Sequence, residues 1–218
     1  MDRFISDIHF GHKNCLAFDN RPFSTPEEND EVIINNWNKV VNIDDTTYIL
    51  GDISHCNVTK TIEKLKQLNG NKVLVIGNHD RKFLKNKDFR YCFINISDYM
   101  ELDIENGKKL ILSHYPEPCF NGQFRGNIHL YGHTHNSQQW HMIEYFKRLQ
   151  EEERGEGTCN MYNVGVMMPW MDYTPRSLVE IIDDYNSYNK AGDQNGQLSR
   201  YYIRSRSRCT MESARPLG

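Results

Sequence analysis

The chain has 218 residues, of which 38% are hydrophobic, and its formal net charge is −3 at neutral pH. This length suits one domain with a sizeable core, and the balance of charge excludes a generally basic surface that attracts nucleic acid. No apolar stretch nears the roughly 20 residues that span a bilayer, and the first motif follows Met1 too closely for a signal peptide. We therefore expect a cytoplasmic protein with no membrane partner.

The first half of the chain alternates short apolar strands with helices. Strands are predicted at residues 4–6, 46–50 and 72–76, each of which runs into a turn. One helix follows Thr25, where a capping hydroxyl precedes a proline and two acids, and another spans residues 58–68. This order indicates βαβ units with parallel pairing.

The second half has a different pattern. Residues 100–104 and 109–113 flank the pair Asn106-Gly107, which is a strong signal for a β-hairpin. A closing helix is predicted after Pro175. The remaining predicted strands are residues 128–131 and 161–164. Together the two halves predict an α/β sandwich of two mixed β-sheets flanked by helices, and not a single doubly wound sheet.

Two segments depart from this alternation. Residues 138–157 form a charged, amphipathic helical insertion, and packing on the core is favoured there over a cap on the functional site or an oligomer contact. Residues 190–218 form a basic tail without apolar periodicity. We interpret this tail as flexible or as an appended extension, in preference to a nucleic-acid contact.

Five polar motifs follow the predicted strands. In chain order they are Asp7-Ile8-His9, Gly51-Asp52, Gly77-Asn78-His79-Asp80, Ser113-His114 and Gly132-His133-Thr134-His135. Strand ends that meet at one sheet edge would bring these Asp, Asn and His side chains together. Carboxylate, amide and imidazole ligands suit two divalent cations, and a set without thiolate fits Mn²⁺, with Fe, Zn²⁺, Ni²⁺ or Co²⁺ as alternatives.

In order and spacing these motifs resemble the calcineurin-like metallophosphoesterase superfamily, especially its small bacterial and phage members. The resemblance covers residues 4–188 and implies a metallophosphoesterase domain over residues 1–189, with metals at the strand ends. The first ion would take Asp7, His9 and His135, the second Asn78, His114 and His133, and Asp52 would bridge them. If the loop of residues 133–135 is locally extended, its two histidines can face neighbouring ions.

The resemblance also implies hydrolysis of a phosphate ester by in-line attack of a metal-bridging hydroxide. His79 is expected to act as general acid, or as a hydrogen-bond donor in the transition state. Asp80 is expected to orient the His79 imidazole or, alternatively, to brace the loop. The predicted substrate contacts are His12, His55 and Arg81. His129, inside a predicted strand, is expected to be a buried core residue instead.

Three functional hypotheses follow. A phosphodiesterase is favoured, because only Arg81, Lys82 and Arg125 offer positive charge for the dianion of a monoester. The substrate is then a phosphate ester, with a nucleotide or a nucleic-acid end among the alternatives. A phosphomonoesterase or nucleotide pyrophosphatase could use the same site. A non-catalytic metal-binding scaffold is the alternative of another class, against which the intact His79 argues.

Overall fold

The structure, a computed structural model, describes residues 1–155 and 157–194. Within these ranges the strands form two four-stranded sheets. The first sheet contains β1 (Asp2–Ile5), β2 (Thr46–Ile49), β3 (Asn71–Val75) and β4 (Asn95–Ser97). The second contains β5 (Tyr99–Asp103), β6 (Lys109–Ser113), β7 (Ile128–Tyr131) and β8 (Asn160–Asn163). In both sheets the spatial order of the strands follows the chain.

Six α-helices connect or flank the sheets in the described part of the chain. They are α1 (Lys13–Phe18), α2 (Pro26–Val40), α3 (Val58–Leu65), α4 (Lys87–Arg90), α5 (Gln138–Arg154) and α6 (Leu178–Gln194). The predicted tail therefore begins inside α6, and its residues 195–218 lie outside the described residues. No helix within the described ranges combines the length and the apolar character that crossing a bilayer requires.

The predicted α/β sandwich of two sheets flanked by helices is confirmed, but the sheets differ in pairing. In the second sheet β5 and β6 are antiparallel, whereas β6, β7 and β8 are parallel. The four strands of the first sheet pair only in parallel, and an isolated bridge between Phe4 and Arg176 is antiparallel. Helical crossovers between successive strands explain the parallel pairing of the first sheet, because each crossover returns the chain to the same end of the sheet.

Local sequence signals account for several element boundaries. The hydroxyl of Thr25 accepts a hydrogen bond from the Glu28 N–H and caps α2, while Asn57 caps α3 in the same way. In the β5–β6 hairpin, Asn106 and Gly107 have φ angles of 61° and 68°. Two successive left-handed residues match the twist of the flanking strands, which is why Asn-Gly favours this turn.

The core lies between the sheets and the helices that cover them. α2 buries Ile33 and Trp37 completely, and these residues belong to the main apolar cluster with residues of both sheets. α5 packs on the second sheet, where Ile143 and Phe146 contact a smaller buried cluster. The α5 residue Lys147 is also buried, and its ammonium donates a hydrogen bond of 2.6 Å to the carbonyl oxygen of Met161 on β8.

Candidate metal centre

The ends of five strands converge at one edge of the sandwich. Asp7, Asp52 and Asn78 follow β1, β2 and β3, while the second sheet contributes through the loops after β6 and β7. A direct link joins the two sheets, because the His133 N–H donates to Asp7 Oδ2 over 2.9 Å. Gly132 allows this close approach, since a Cβ there would overlap the Ser6 hydroxyl and lie 2.6 Å from Asp7 Oδ2.

The first group of expected ligands surrounds His9. Its Nε2 lies 3.2 Å from Nε2 of His135, and Asp7 Oδ1 lies 3.6 Å from the same His135 nitrogen. The three residues each offer a ligand atom within 4.8 Å of the others. Two imidazole nitrogens that face one another beside a buried carboxylate form a donor set suited to a divalent cation.

The second group surrounds His114. Its Nε2 lies 3.5 Å from Asp52 Oδ2 and 3.1 Å from Asn78 Oδ1. His133 completes the group, because its ligand atom lies within 4.8 Å of those of Asp52 and His114. Asp52 Oδ2 is also 3.8 Å from His9 Nε2, so the carboxylate of Asp52 faces both groups.

Hydrogen bonds on the far side of two imidazoles fix their orientation. Nδ1 of His114 lies 2.7 Å from the carbonyl oxygen of Leu50, and Nδ1 of His135 lies 2.8 Å from Asp19 Oδ1. Metal-binding histidines commonly donate their second N–H to a carbonyl or a carboxylate in this way. The orientation of these residues therefore fits divalent cations.

The charges within the centre shift the pKa values of its histidines in opposite directions. Burial lowers the pKa of His114, but the hydrogen bond to Asp52 and the nearby Asp7 carboxylate outweigh it and raise the pKa to about 9. Burial, followed by the proximity of His135, lowers the pKa of His9 well below its ordinary value. The carboxylates thus concentrate negative potential beside His114, where a cation would be stabilised.

The backbone at the centre is left-handed at five of the seven expected ligands. The φ angles lie between 49° and 65° at Asp7, His9, Asp52, His133 and His135. Such conformations are uncommon for residues other than glycine, and they cluster at functional sites. The loop of residues 133–135 is not extended, because His133 and His135 both have left-handed backbone conformations.

His79 and Asp80 occupy distinct positions. His79 Nε2 lies 3.9 Å from Asp52 Oδ2, and the imidazole is 39% exposed. The Asp80 carboxylate accepts backbone N–H bonds from Asp52, Ile53 and Gly77, with lengths of 2.8, 3.0 and 2.9 Å. This geometry corresponds to the loop-bracing alternative for Asp80.

The three predicted substrate contacts do not lie together. His12 and His55 stack, with ring centroids 3.6 Å apart and planes at 8°, and His55 lies 4.4 Å from the His79 ring. Both also lie beside His9. The Arg81 guanidinium instead binds Asp98 at the surface, with 2.6 Å between Nη2 and Oδ1. His129, as predicted, is buried within the second sheet.

Sequence reasoning missed a buried ion pair behind the first group. Arg21 donates to Asp19 Oδ2 over 2.9 Å and to the carbonyl oxygens of Asp7 and Ile8 over 3.0 and 3.1 Å. Asp19 in turn holds His135. The single sequence signal for this arrangement is an acid and an arginine two residues apart, immediately after α1.

In this α/β protein, the strand ends of two sheets bring carboxylates and imidazoles together in two adjoining groups. Such an arrangement is suited to binding divalent metal ions. The chain belongs to the calcineurin-like phosphoesterase family, whose model matches residues 3–160. The family predicted from the motifs is thereby confirmed. Membership supports a metal-dependent hydrolase of phosphoesters.

Relatives come from archaea, phages and bacteria. The chain is 38% identical over 143 residues to the protein MJ1445 of Methanocaldococcus jannaschii, an alignment that covers 65% of this chain and 71% of that protein. It is 31% identical over 159 residues to the gene 66 protein of Mycobacterium phage L5, covering 61% and 76%. The crystal structure of AQ665, a protein of unknown function from Aquifex aeolicus, matches with a TM-score of 0.62 and 28% identity, covering 84% of this chain and 98% of that one.

Proposed function

We propose that this protein is a cytoplasmic, dinuclear, metal-dependent phosphodiesterase. The observation that carries the proposal is the position of Asp52 Oδ2, which lies 3.8 Å from His9 Nε2 and 3.5 Å from His114 Nε2. A carboxylate between two groups of ligands can be shared by two cations and offset the repulsion between them. Paired cations in hydrolases of phosphate esters lie about 4 Å apart.

The donor atoms support an assignment of ligands to each ion. We assign Asp7, His9 and His135 to one ion, Asn78, His114 and His133 to the other, and Asp52 to both. Oxygen and nitrogen donors without thiolate favour Mn²⁺ among the divalent metals considered. When bound, such ions would activate a water molecule and neutralise charge on the phosphate.

His79 is the proposed general acid. Its backbone N–H donates to Asp52 Oδ1 over 2.9 Å, so its position is tied to the shared carboxylate. Its half-buried imidazole reaches solvent beside both groups, where the leaving oxygen of a substrate would need a proton. We assign Asp80 to holding the loops of Asp52 and Gly77 in place, since its carboxylate accepts from the backbone of both.

The proposed preference for a diester rests on the charges of the side chains around the candidate metal centre. A phosphate monoester is a dianion and needs more fixed positive charge than a diester, which carries one negative charge. The Arg81 guanidinium, the predicted contact with permanent charge, is engaged by Asp98. His12 and His55 stack on each other beside His9, and imidazoles offer hydrogen bonds without requiring a full charge.

The test is a comparison of bis-p-nitrophenyl phosphate with p-nitrophenyl phosphate, which share a leaving group. Protein stripped of metal and reloaded with Mn²⁺ is expected to hydrolyse the diester faster, and the stripped protein is expected to be inactive. Preference for the monoester would indicate a phosphatase. Two bound ions, measured by elemental analysis, without turnover of either substrate would contradict the proposal and favour a scaffold.

A further inference from the structure

Two exposed aromatic side chains stand beside the metal centre, one at each group of ligands. Phe18, the last residue of α1, is 54% exposed. Its ring lies 5.4 Å from the His135 ring at 62°, and 5.7 Å from the His12 ring at 64°. Phe18 therefore contacts histidines at the first group with steeply inclined rings, while much of its side chain stays exposed to solvent.

Tyr115 has the corresponding position at the second group. It is 48% exposed, and its ring lies 4.5 Å from His133 at 61° and 5.1 Å from His114 at 73°. Its hydroxyl is 3.4 Å from Asn78 Oδ1, which places the phenol directly at the expected ligands. The Tyr115 ring is again steeply inclined to the neighbouring imidazoles, and about half of the residue is exposed to solvent.

Exposure of a single aromatic residue is common and carries no meaning by itself. The placement of this pair is more specific, because each ring contacts histidines of a different group. A phosphodiester held between the two groups would therefore have an exposed aromatic ring next to each group.

We infer that Phe18 and Tyr115 are stacking platforms for two flat bases, so that the substrate is a linear phosphodiester between nucleosides, as in single-stranded nucleic acid. The inference rests on the proposed function and narrows its substrate class. Nucleobases stack on aromatic side chains, and this stacking tolerates differences in base sequence. A monoester or a cyclic nucleotide carries only one base and would use one ring.

The test compares two diesters in protein loaded with Mn²⁺. Thymidylyl-thymidine has a base on each side of the phosphate, whereas methyl p-nitrophenyl phosphate has no base. Phe18→Leu and Tyr115→Leu keep apolar bulk but remove the flat ring. Each is expected to lower kcat/KM for the dinucleotide about tenfold relative to kcat/KM for the methyl ester.

Two variants serve as controls. Tyr115→Phe keeps the ring and removes the hydroxyl, so the ratio between the two substrates is expected to stay within about twofold of the wild-type ratio. Tyr91→Leu removes an aromatic side chain that is 82% exposed and lies beside α3 and β4. It is expected to leave both rates unchanged.

Binding provides a second readout, which is independent of turnover. A non-cleavable methylenephosphonate analogue of the dinucleotide is titrated by calorimetry, and each Leu variant is expected to bind it about tenfold more weakly. Equal binding by both variants and wild type, or loss at only one of the two rings, overturns the inference. Weaker binding in both variants without metal-dependent turnover of any diester supports the stacking platforms while refuting the phosphodiesterase.

Discussion

The two sheets contribute different donor atoms to the metal centre. The first sheet contributes mainly oxygen atoms, through Asp7, Asp52 and Asn78, together with the imidazole of His9. The second sheet contributes only imidazoles, through His114, His133 and His135. Each group of expected ligands draws on both sheets. The centre therefore forms only when the sheets pack with these strand ends aligned.

The first sheet supplies the negative charge of the metal centre, whereas the second sheet supplies imidazoles whose orientation matters. The buried carboxylates of Asp7 and Asp52 belong to the first sheet, and they raise the pKa of His114 on the second sheet. The imidazoles of the second sheet carry no negative charge, and hydrogen bonds behind the rings of His114 and His135 fix their orientation. Removing a residue of the first sheet should therefore cost more metal affinity than removing one of the second.

The largest effect is expected from Asp52→Ala, which removes the carboxylate that faces both groups. Both ions should be lost and diester hydrolysis should become undetectable, because the repulsion between two cations would no longer be offset. His133→Ala in the second sheet should lose one ion only. Elemental analysis of both variants after dialysis measures this. Two ions retained in Asp52→Ala would refute the shared carboxylate.

The next effect concerns His79→Gln, at the end of the first sheet. Both ions should remain, because His79 is not an expected ligand, while turnover should fall about 10²- to 10⁴-fold on an ester with an alkyl leaving group. The loss should be much smaller with p-nitrophenolate, which leaves without a proton. Rates on both esters with equal metal content check the assignment, and equal losses on the two would contradict it.

The sequence predicted most of the first sheet's contribution. Apolar runs before Asp52 and Asn78 marked two of its strands, and in the second sheet the Asn106-Gly107 pair marked the β5–β6 hairpin. Such features are local, because the residues that determine them are neighbours in the chain. β4 and α1 were not predicted, since three and six residues are too short to show a period.

Long-range features of the centre could not be predicted in the same way. The contact of Asp19 with His135 joins residues 116 positions apart, and nothing near either residue indicates it. The Asp7 carboxylate likewise binds the His133 N–H across 126 positions, next to the left-handed backbone at His133 and His135. The motifs identified the candidate ligands, but part of the geometry that positions them comes from contacts between distant parts of the chain.

A moderate effect is expected from Asp19→Asn, which weakens the hold on His135 of the second sheet. Affinity for one of the two ions should fall about 10- to 100-fold, as for other residues that orient a ligand. Asp98→Asn is the matched control, because it removes an exposed carboxylate that binds Arg81. In a calorimetric metal titration, the Asp98→Asn control should bind both ions with the wild-type affinities. Unchanged affinities in Asp19→Asn would exclude its orienting role.

The smallest effect is expected at His129, a buried histidine of the second sheet that is not one of the expected ligands. It concerns the pH dependence of stability. Burial lowers the pKa of His129 from 6.5 to about 4. Its Nδ1 lies 3.2 Å from the carbonyl oxygen of Ile111, and its Nε2 accepts from the Glu117 N–H over 3.0 Å. The unfolded chain binds a proton as the pH falls below 6.5, whereas the folded chain does not until about pH 4. Stability should therefore fall with decreasing pH in this window.

His129→Gln is expected to remove this dependence, because the amide can serve both backbone partners without titrating. The free energy of unfolding of the wild type should fall by about 1.5 kcal/mol more than that of the variant between pH 6.5 and 5. Urea denaturation of metal-stripped protein measures the difference without interference from bound ions. The same difference should persist with Mn²⁺ present, since His129 lies outside both groups. Parallel pH profiles for the two proteins would show that His129 does not set this acid sensitivity.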